Sequence, residues 1–405
     1  MIQYLGPEQE LLPLKDMPVL TPSLPSAKSL TIPATLAPTI MEFFAGIGLV
    51  RYAFEKEGWS IKFANDIDPA KRKIYELNFA GDDFICDDIN SLRASDLPTV
   101  SLASSSFPCT DVSLAGARKG LNGEQSGAVL PFLSLMKKMG DRKPPMILLE
   151  NVLGLLSSHN GSDFRFIIQQ LNSIGYDCDA VVVNAVHFIP QSRPRLFVFG
   201  VQRDIPSPYL TSHLISLVPK DETRPAALLH ALHRNDDLKW RFHCKLQRLP
   251  PPSRTLATFL EQGLDESAWW NDARTSYFLK QLSPLHSNAV RALRDKGHYS
   301  YGTAYRRMRP SGIRMETRFD GVAGCLRTPR GGSSRQVVVR CGRGTVKVRF
   351  MTPREYARLQ GVGDSYDVGD STGAALFGFG DAVCVPAVRW VAKNYVNPFV
   401  TAKRS

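Results

Sequence analysis

The chain has 405 residues, 43% of them hydrophobic, and carries a net charge of +12. That length supplies roughly two or three domains with a substantial core, and the composition excludes a wholly disordered chain. An isoelectric point near 9.4 points to a polyanionic partner, most simply a nucleic acid, although a soluble protein can be basic for no such reason.

The seven cysteines, at 86, 109, 178, 244, 325, 341 and 384, include no CxxC pair. That pattern fits a reducing compartment, with no disulfide framework and no metal cluster. No run reads as the ~18 apolar residues of a membrane span, and no basic stretch precedes an apolar leader. A cytoplasmic protein that does not touch a membrane is the expectation.

Residues 1–37 are rich in proline, which breaks any helical period, and read as an N-terminal extension. From 38 to 204, strand-like and helix-like segments alternate. Strands are expected at Thr39–Phe44, Ile61–Ala64, Met146–Leu149, Ala180–Val183 and Leu196–Phe199, with a helix over Phe164–Ile174 that Gly175 closes. This is the βαβ signature of an α/β domain with a mostly parallel, Rossmann-like sheet. From 205 to 345 the alternation fails, and an irregular, mixed second domain is expected. It ends in a basic run, Arg306 to Arg349, interleaved with Tyr301, Tyr305, Phe319 and Gly331-Gly332. Such a run is usually a solvated face, but guanidinium forks among aromatics suit phosphate and base contact. From 346 to 405 the chain returns to the first domain. Thr352-Pro353-Arg354-Glu355 reads as a capping box, and Ala382–Val396 as a last helix.

Polar clusters stand at the ends of the apolar runs, where open α/β sheets bind ligands. Gly46 and Gly48 end the first strand and allow a ligand to approach the backbone. Asp66 and Asp68 follow the second strand, where a carboxylate can accept from ribose hydroxyls. Asp87 and Asp88 follow a third strand and could contact an adenine amino group. Each aspartate could equally be a helix cap. Cys109 follows Phe107-Pro108 in a polar neighbourhood, where nearby positive charge would make thiolate available; the alternative is a core thiol. Glu150 ends an apolar strand, where a carboxylate needs a partner or a task. Arg193 and Arg195 are spaced to project from one face of an extended chain, ready for a carbonyl oxygen and a phosphate, or for a plain salt bridge.

In these motifs the chain resembles the cytosine-C5 DNA methyltransferase family, over about residues 38–400. Phe44-Ala45-Gly46-Ile47-Gly48-Leu49 resembles the first motif, Asp66-Ile67 the ribose-binding turn, and Asp88-Ile89 the adenine-contacting one. Phe107-Pro108-Cys109 is similar to the catalytic loop, and Ser113 to Leu121, with Arg118, to the mobile loop that closes over DNA. Glu150-Asn151-Val152 and Gln191 to Arg195 match two further motifs. Arg354 to Gly361 resembles the ninth motif, and Gly380-Asp381-Ala382-Val383 the tenth. Two positions depart from the pattern: Thr110 stands where many members have Gln, and Asp381 where Asn is usual.

The resemblance implies a class I methyltransferase fold with a target-recognition domain over 205–345. It implies S-adenosylmethionine as cofactor, held by residues 44–49, Asp66, Ile67, Asp88, Ile89, Phe107, Pro108, Asp381 and Ala382. It implies catalysis by Cys109, Glu150, Arg193 and Arg195. Double-stranded DNA would meet Ser113, Arg118, Gln191, Arg327, Arg330, Gly331, Gly332 and Arg335. A monomeric, nucleoid-associated enzyme of prokaryotic or phage type is expected, with or without a companion restriction endonuclease. The alternatives are tRNA cytosine-C5 methylation and a catalytically silent DNA-binding relative. An oxidoreductase built on the glycine turn would leave Pro108-Cys109 and the basic domain unexplained.

Overall fold

A computed structural model describes residues 37–108, 129–205, 210–211, 220–244, 246–309, 312–329 and 335–401. Cys109, Ser113, Arg118, Arg330, Gly331 and Gly332 lie outside these residues, as does the N-terminal extension before residue 37.

The first seven strands are β1 (Thr39–Phe43), β2 (Ser60–Asp66), β3 (Phe84–Cys86), β4 (Leu102–Ser105), β5 (Met146–Val152), β6 (Tyr176–Asn184) and β7 (Pro194–Gln202). They form one sheet in the order β3-β2-β1-β4-β5-β7-β6. The first five run parallel, whereas β7 is antiparallel to both its neighbours. The strand order reverses between β1 and β4, which places the ligand crevice at the carboxyl ends of those strands. Helices α1 (Leu49–Glu55), α2 (Pro69–Asn78), α3 (Val129–Lys138) and α4 (Ser162–Ser173) fill the crossovers.

Both faces of this sheet are covered. Ile40 and Leu148 pack into one apolar cluster, while Met41, Phe43, Ile147 and Leu149 pack into the other. Alternate residues of a strand point to opposite faces, so continuous apolar runs are what a doubly covered strand requires.

The next elements are β8 (Leu210–Thr211), α5 (Ala226–His233), β9 (Phe242–His243), α6 (Leu256–Phe259), α7 (Asp272–Lys280) and α8 (Pro284–Arg294). A second sheet follows: β10 (Ser300–Arg309), β11 (Gly312–Arg318), β12 (Val337–Gly342) and β13 (Thr345–Phe350), in the order β11-β10-β12-β13 and antiparallel throughout. The smaller second region expected from the sequence thus contains a regular antiparallel sheet, which continues past 345 to Phe350. Its periodicity was hidden in β10, where Ser300, Gly302 and Arg306 share the face of Ala304 and interrupt the apolar alternation. Ala304, Met315, Val337, Val339 and Val348 share one face and pack with Phe278 of α7 and Val290 of α8. Cross-strand partners on the other face include Arg307 and Arg314, Tyr301 and Arg340, Arg340 and Lys347, and Val338 and Arg349. Arg307, Arg314, Arg318, Arg340, Lys347 and Arg349 of the basic run thus share one face of a regular sheet, whereas Arg306 pairs with Met315 on the apolar face.

The chain closes with α9 (Pro353–Leu359), α10 (Thr372–Asp381), α11 (Val385–Val391) and α12 (Asn397–Thr401). The expected capping box is present: the Thr352 hydroxyl and the Glu355 carboxylate each accept from the other's backbone N–H. The expected last helix is split, with a π turn at Ala392–Val396 joining α11 to α12. The stretch Thr372–Val400 has a mean hydropathy of 1.4, high enough by composition alone for a membrane span, but it is broken between α10 and α11 and largely buried. It is packed into the core, where Leu376, Phe379, Val388, Val391 and Tyr395 join the first sheet's cluster.

Candidate active site

The loop after β1 is fixed from two sides. Gly46 and Gly48 have φ of +58° and +83°. A Cβ at Gly48 would come within 2.5 Å of the Phe79 ring and 2.8 Å of Tyr75, so only glycine lets α2 pack there. The Gly46 N–H donates to the Asp66 carboxylate at 2.8 Å, and the Asp68 N–H donates to its other oxygen at 2.9 Å. An ionised carboxylate has further lone pairs, so Asp66 can brace the turn and still accept from a ligand. Asp68 caps α2 and Asp88 caps a short 3-10 turn, so the helix-cap reading holds for both.

Ile67 is 63% exposed beside this carboxylate, and a Cβ at Gly46 would meet nothing within 4 Å. Open backbone, an exposed apolar surface and carboxylates for hydroxyl groups form a donor set that fits an adenosyl group. Phe44 holds a left-handed φ of 57° at the same turn. Ala45, Ile47, Leu49, Ile89 and Phe107 have buried side chains, which leaves chiefly their backbone groups for a ligand.

At the far end of the loop, Asp381 meets Lys71 of α2 at 3.2 Å. Burial pulls the Lys71 ammonium down, but the carboxylates of Asp66, Asp381 and Asp68 outweigh it and leave its pKa raised. The negative charge that departs from the family pattern is therefore offset. The neighbouring Ala382 presents its carbonyl to Arg193 at 2.6 Å.

Glu150 and Arg195 are brought together by the sheet. Because β7 runs antiparallel to β5, Arg195 at its start pairs with Val152, and Glu150 pairs with Phe197. The diagonal neighbours share a face, and the Arg195 Nε meets the Glu150 Oε1 at 3.0 Å. Asn151, the next residue, donates from Nδ2 to the Phe107 carbonyl at 3.0 Å. This buried clamp ties the end of β5 to the segment entering Pro108-Cys109.

Arg193 is 2% exposed and turns inward. It donates to the carbonyls of Leu326 and Ala382, at 2.8 and 2.6 Å, and so joins three segments of the chain. Burial and the neighbouring Arg195 lower its pKa. Gln191 is fully buried, its amide spent on the Leu359 carbonyl and the Leu326 N–H. It presents no surface to DNA, which corrects the expectation of a substrate contact. Arg327 is exposed, and Arg335 is half-buried in the second sheet's region.

Two participants were missed by sequence reasoning. Asn151 lay inside a quoted motif without a role of its own. Cys325 had no local signal. Its Sγ lies 3.4 Å from Arg193 Nη1 and 3.9 Å from Arg195 Nη2. Burial pushes this thiol up, yet Arg193, Arg195 and Arg327 outweigh it and leave its pKa lowered.

This arrangement of an acid–arginine pair, a clamped loop and a glycine turn along one sheet edge coincides with what comparison finds. Residues 38–397 match the family of C-5 cytosine-specific DNA methylases. The chain belongs to that family. Its enzyme class is DNA cytosine-5-methyltransferase. It is 28% identical over 364 residues to the Type II methyltransferase M.Bsp6I of Bacillus sp. (strain RFL6), covering 88% of this chain and 97% of that one. It is 27% identical over 358 residues to the Type II methyltransferase M.DsaV of Dactylococcopsis salina, covering 88% and 85%. Among solved structures, S. pombe Dnmt2 methyltransferase superposes with a TM-score of 0.57 at 18% identity, covering 89% of this chain and 99% of that one. The Entamoeba histolytica methyltransferase EhMeth superposes with a TM-score of 0.56 at 15% identity, covering 92% and 100%. These two share the fold.

Proposed function

We propose that this enzyme methylates C5 of cytosine within a specific duplex sequence, with S-adenosylmethionine as donor and Cys109 as nucleophile. The observation that carries the reading is the Glu150–Arg195 pair at 3.0 Å, clamped through Asn151 to the entry of the Pro108-Cys109 loop. Cytosine is a poor nucleophile at C5. Addition of the Cys109 thiolate to C6 breaks the ring's aromaticity and places electron density on C5. Glu150 holds the N3 and amino edge as charge builds, and Arg195 orients Glu150 and steadies the O2 side. When bound, the donor supplies an electrophilic methyl group for C5. Loss of the C5 proton to a base, through water, then expels Cys109. Arg193 is a positioning residue that acts through the backbone it holds.

The donor would rest on the Gly46 turn, with Asp66 at its ribose, Ile67 and Asp88 at its adenine, and Asp381-Ala382 beside it. The target base must leave the duplex to reach these groups. Residues from 205 to Phe350, where the second sheet ends, serve as the target-recognition domain, and residues 38–204 and 351–405 as the catalytic one. The Type II relatives favour a place in a restriction-modification system beside a companion endonuclease. A monomer acting on cytoplasmic DNA completes the reading.

The test is transfer of labelled methyl from S-adenosylmethionine to duplex DNA and to tRNA in parallel, with bisulfite sequencing of the DNA. Label at one recurrent cytosine context is expected, and its loss in Cys109→Ser and Glu150→Gln. Label in tRNA alone would move the substrate to RNA. Full turnover by Cys109→Ser would overturn the nucleophile.

A further inference from the structure

On the second sheet's edge, Trp269, Trp270, Arg274, Arg335, Arg349 and Phe350 line an open cleft of about 550 Å³. Its two outer guanidiniums converge on one ring. Arg274 lies 4.9 Å from the Phe350 centroid and Arg335 lies 4.4 Å from it. Arg274 also stacks on Trp270 at 4.2 Å. Like charges gathered this way repel. Burial holds the Arg335 pKa below its ordinary value; the Tyr356 hydroxyl opposes this and the Arg274 charge adds to it. The Arg335 Nη2 donates to the Met351 carbonyl at 3.4 Å, while its buried Nε has no hydrogen-bond partner among the described residues. The third arginine is different: Arg349 is buried and paired with Glu355, so its charge is spent inside the fold.

Two guanidiniums braced by aromatic faces, lacking a carboxylate, form a receptor for an anion. Among the described residues neither Arg274 nor Arg335 forms a salt bridge, so ion pairing does not account for the converging pair. We propose that this cleft binds a phosphate of the DNA backbone, anchoring the duplex at a point separate from the Glu150–Arg195 site. The proposal rests on the DNA reading above and adds a specific anchor to it. Trp270 and Phe350 hold the guanidinium planes ready, which reduces the ordering that binding would otherwise require.

The experiment compares wild type with Arg274→Gln/Arg335→Gln, measuring affinity for a short labelled duplex over a series of salt concentrations. Arg389→Gln, which removes a charge paired with Glu57 elsewhere on the surface, is the control. Calorimetric binding of S-adenosylmethionine reports that each variant is folded. Losing one phosphate contact should lower the slope of log affinity against log salt by about 0.9 and weaken binding about tenfold at low salt. The control should keep the wild-type slope. A double variant that binds the donor normally and keeps the wild-type slope overturns the proposal. So does a double variant that loses only competition by inorganic phosphate while its DNA slope stays unchanged. Wild type that shows no salt-dependent duplex binding would instead defeat the DNA reading, and this anchor with it.

Discussion

Wild type should lose stability as pH rises through neutrality, and Glu42→Gln should abolish that loss. Glu42 is the penultimate residue of β1, close to the glycine turn and buried in the core, where its carboxyl accepts the Arg51 backbone N–H at 3.2 Å. Burial pushes its pKa up from 4.5 to about 8. The Arg51 hydrogen bond and charge oppose this, while Asp66 and Asp83 add to it. A carboxyl whose folded pKa is raised binds its proton more tightly in the folded chain than in the unfolded one. Its contribution is complete below pH 4.5 and is lost as pH rises through 8. At ~1.4 kcal/mol per pH unit, the loss between pH 6 and 8 is about 2 to 3 kcal/mol. The amide of Gln keeps an acceptor for Arg51 and has no proton to lose. Urea unfolding at a series of pH values should give a falling midpoint for wild type and a nearly flat one for the variant. Parallel curves for the two proteins would refute the argument, because the titrating group would then lie elsewhere.

Three further outcomes follow from single contacts. Gly48→Ala should lose several kcal/mol of stability or fail to fold, since its Cβ would enter the Phe79 and Tyr75 rings at a left-handed φ; soluble yield and melting temperature read this directly. A double-mutant cycle of Lys71→Met and Asp381→Asn, read by melting, should give a coupling of under about 1 kcal/mol, with Asp381→Asn relieving the loss in the Lys71→Met background. In the Cys109→Ser background, a thiol-directed alkylating agent should label Cys325 ahead of Cys178, because arginines lower the one thiol while burial raises the other; mass spectrometry of the peptides decides it.

Much of the site was legible because its groups sit on strand ends, and strand ends are marked where apolar runs stop. The first strand, expected at Thr39–Phe44 and found at Thr39–Phe43, the glycine turn and Asp66 follow from that rule; Glu150 does so less closely, since β5 runs on to Val152. The second sheet was illegible because periodicity arguments take apolar alternation as their signal. In β10 and β11 the second face is largely arginine, tyrosine and glutamate, so the strands look like a charged loop. Gln191 was misread for a related reason: a polar residue in a motif looks like a ligand contact, but a buried amide can spend all its bonds on backbone. Leu359 and Leu326, its partners, lie far away in sequence, where no local pattern could announce them. The same holds for Cys325, whose character comes from two arginines more than a hundred residues earlier.

Strand direction is the decisive quantity that periodicity does not carry. If β7 ran parallel to β5, its first residues would lie at the amino end of the sheet, far from Glu150, and Arg195 would have no carboxylate to meet. Insertion of β7 antiparallel between β5 and β6 reverses this and delivers Arg195 to the carboxyl edge. The same reversal carries Arg193 to that edge, where it can hold the carbonyls of Leu326 and Ala382. One topological departure from an all-parallel sheet therefore joins the acid–arginine pair to segments around Leu326 and Ala382, far along the chain. A change that weakens β7 pairing, far from any reacting atom, should separate Glu150 from Arg195 and disturb the donor site together, because both depend on the same strand.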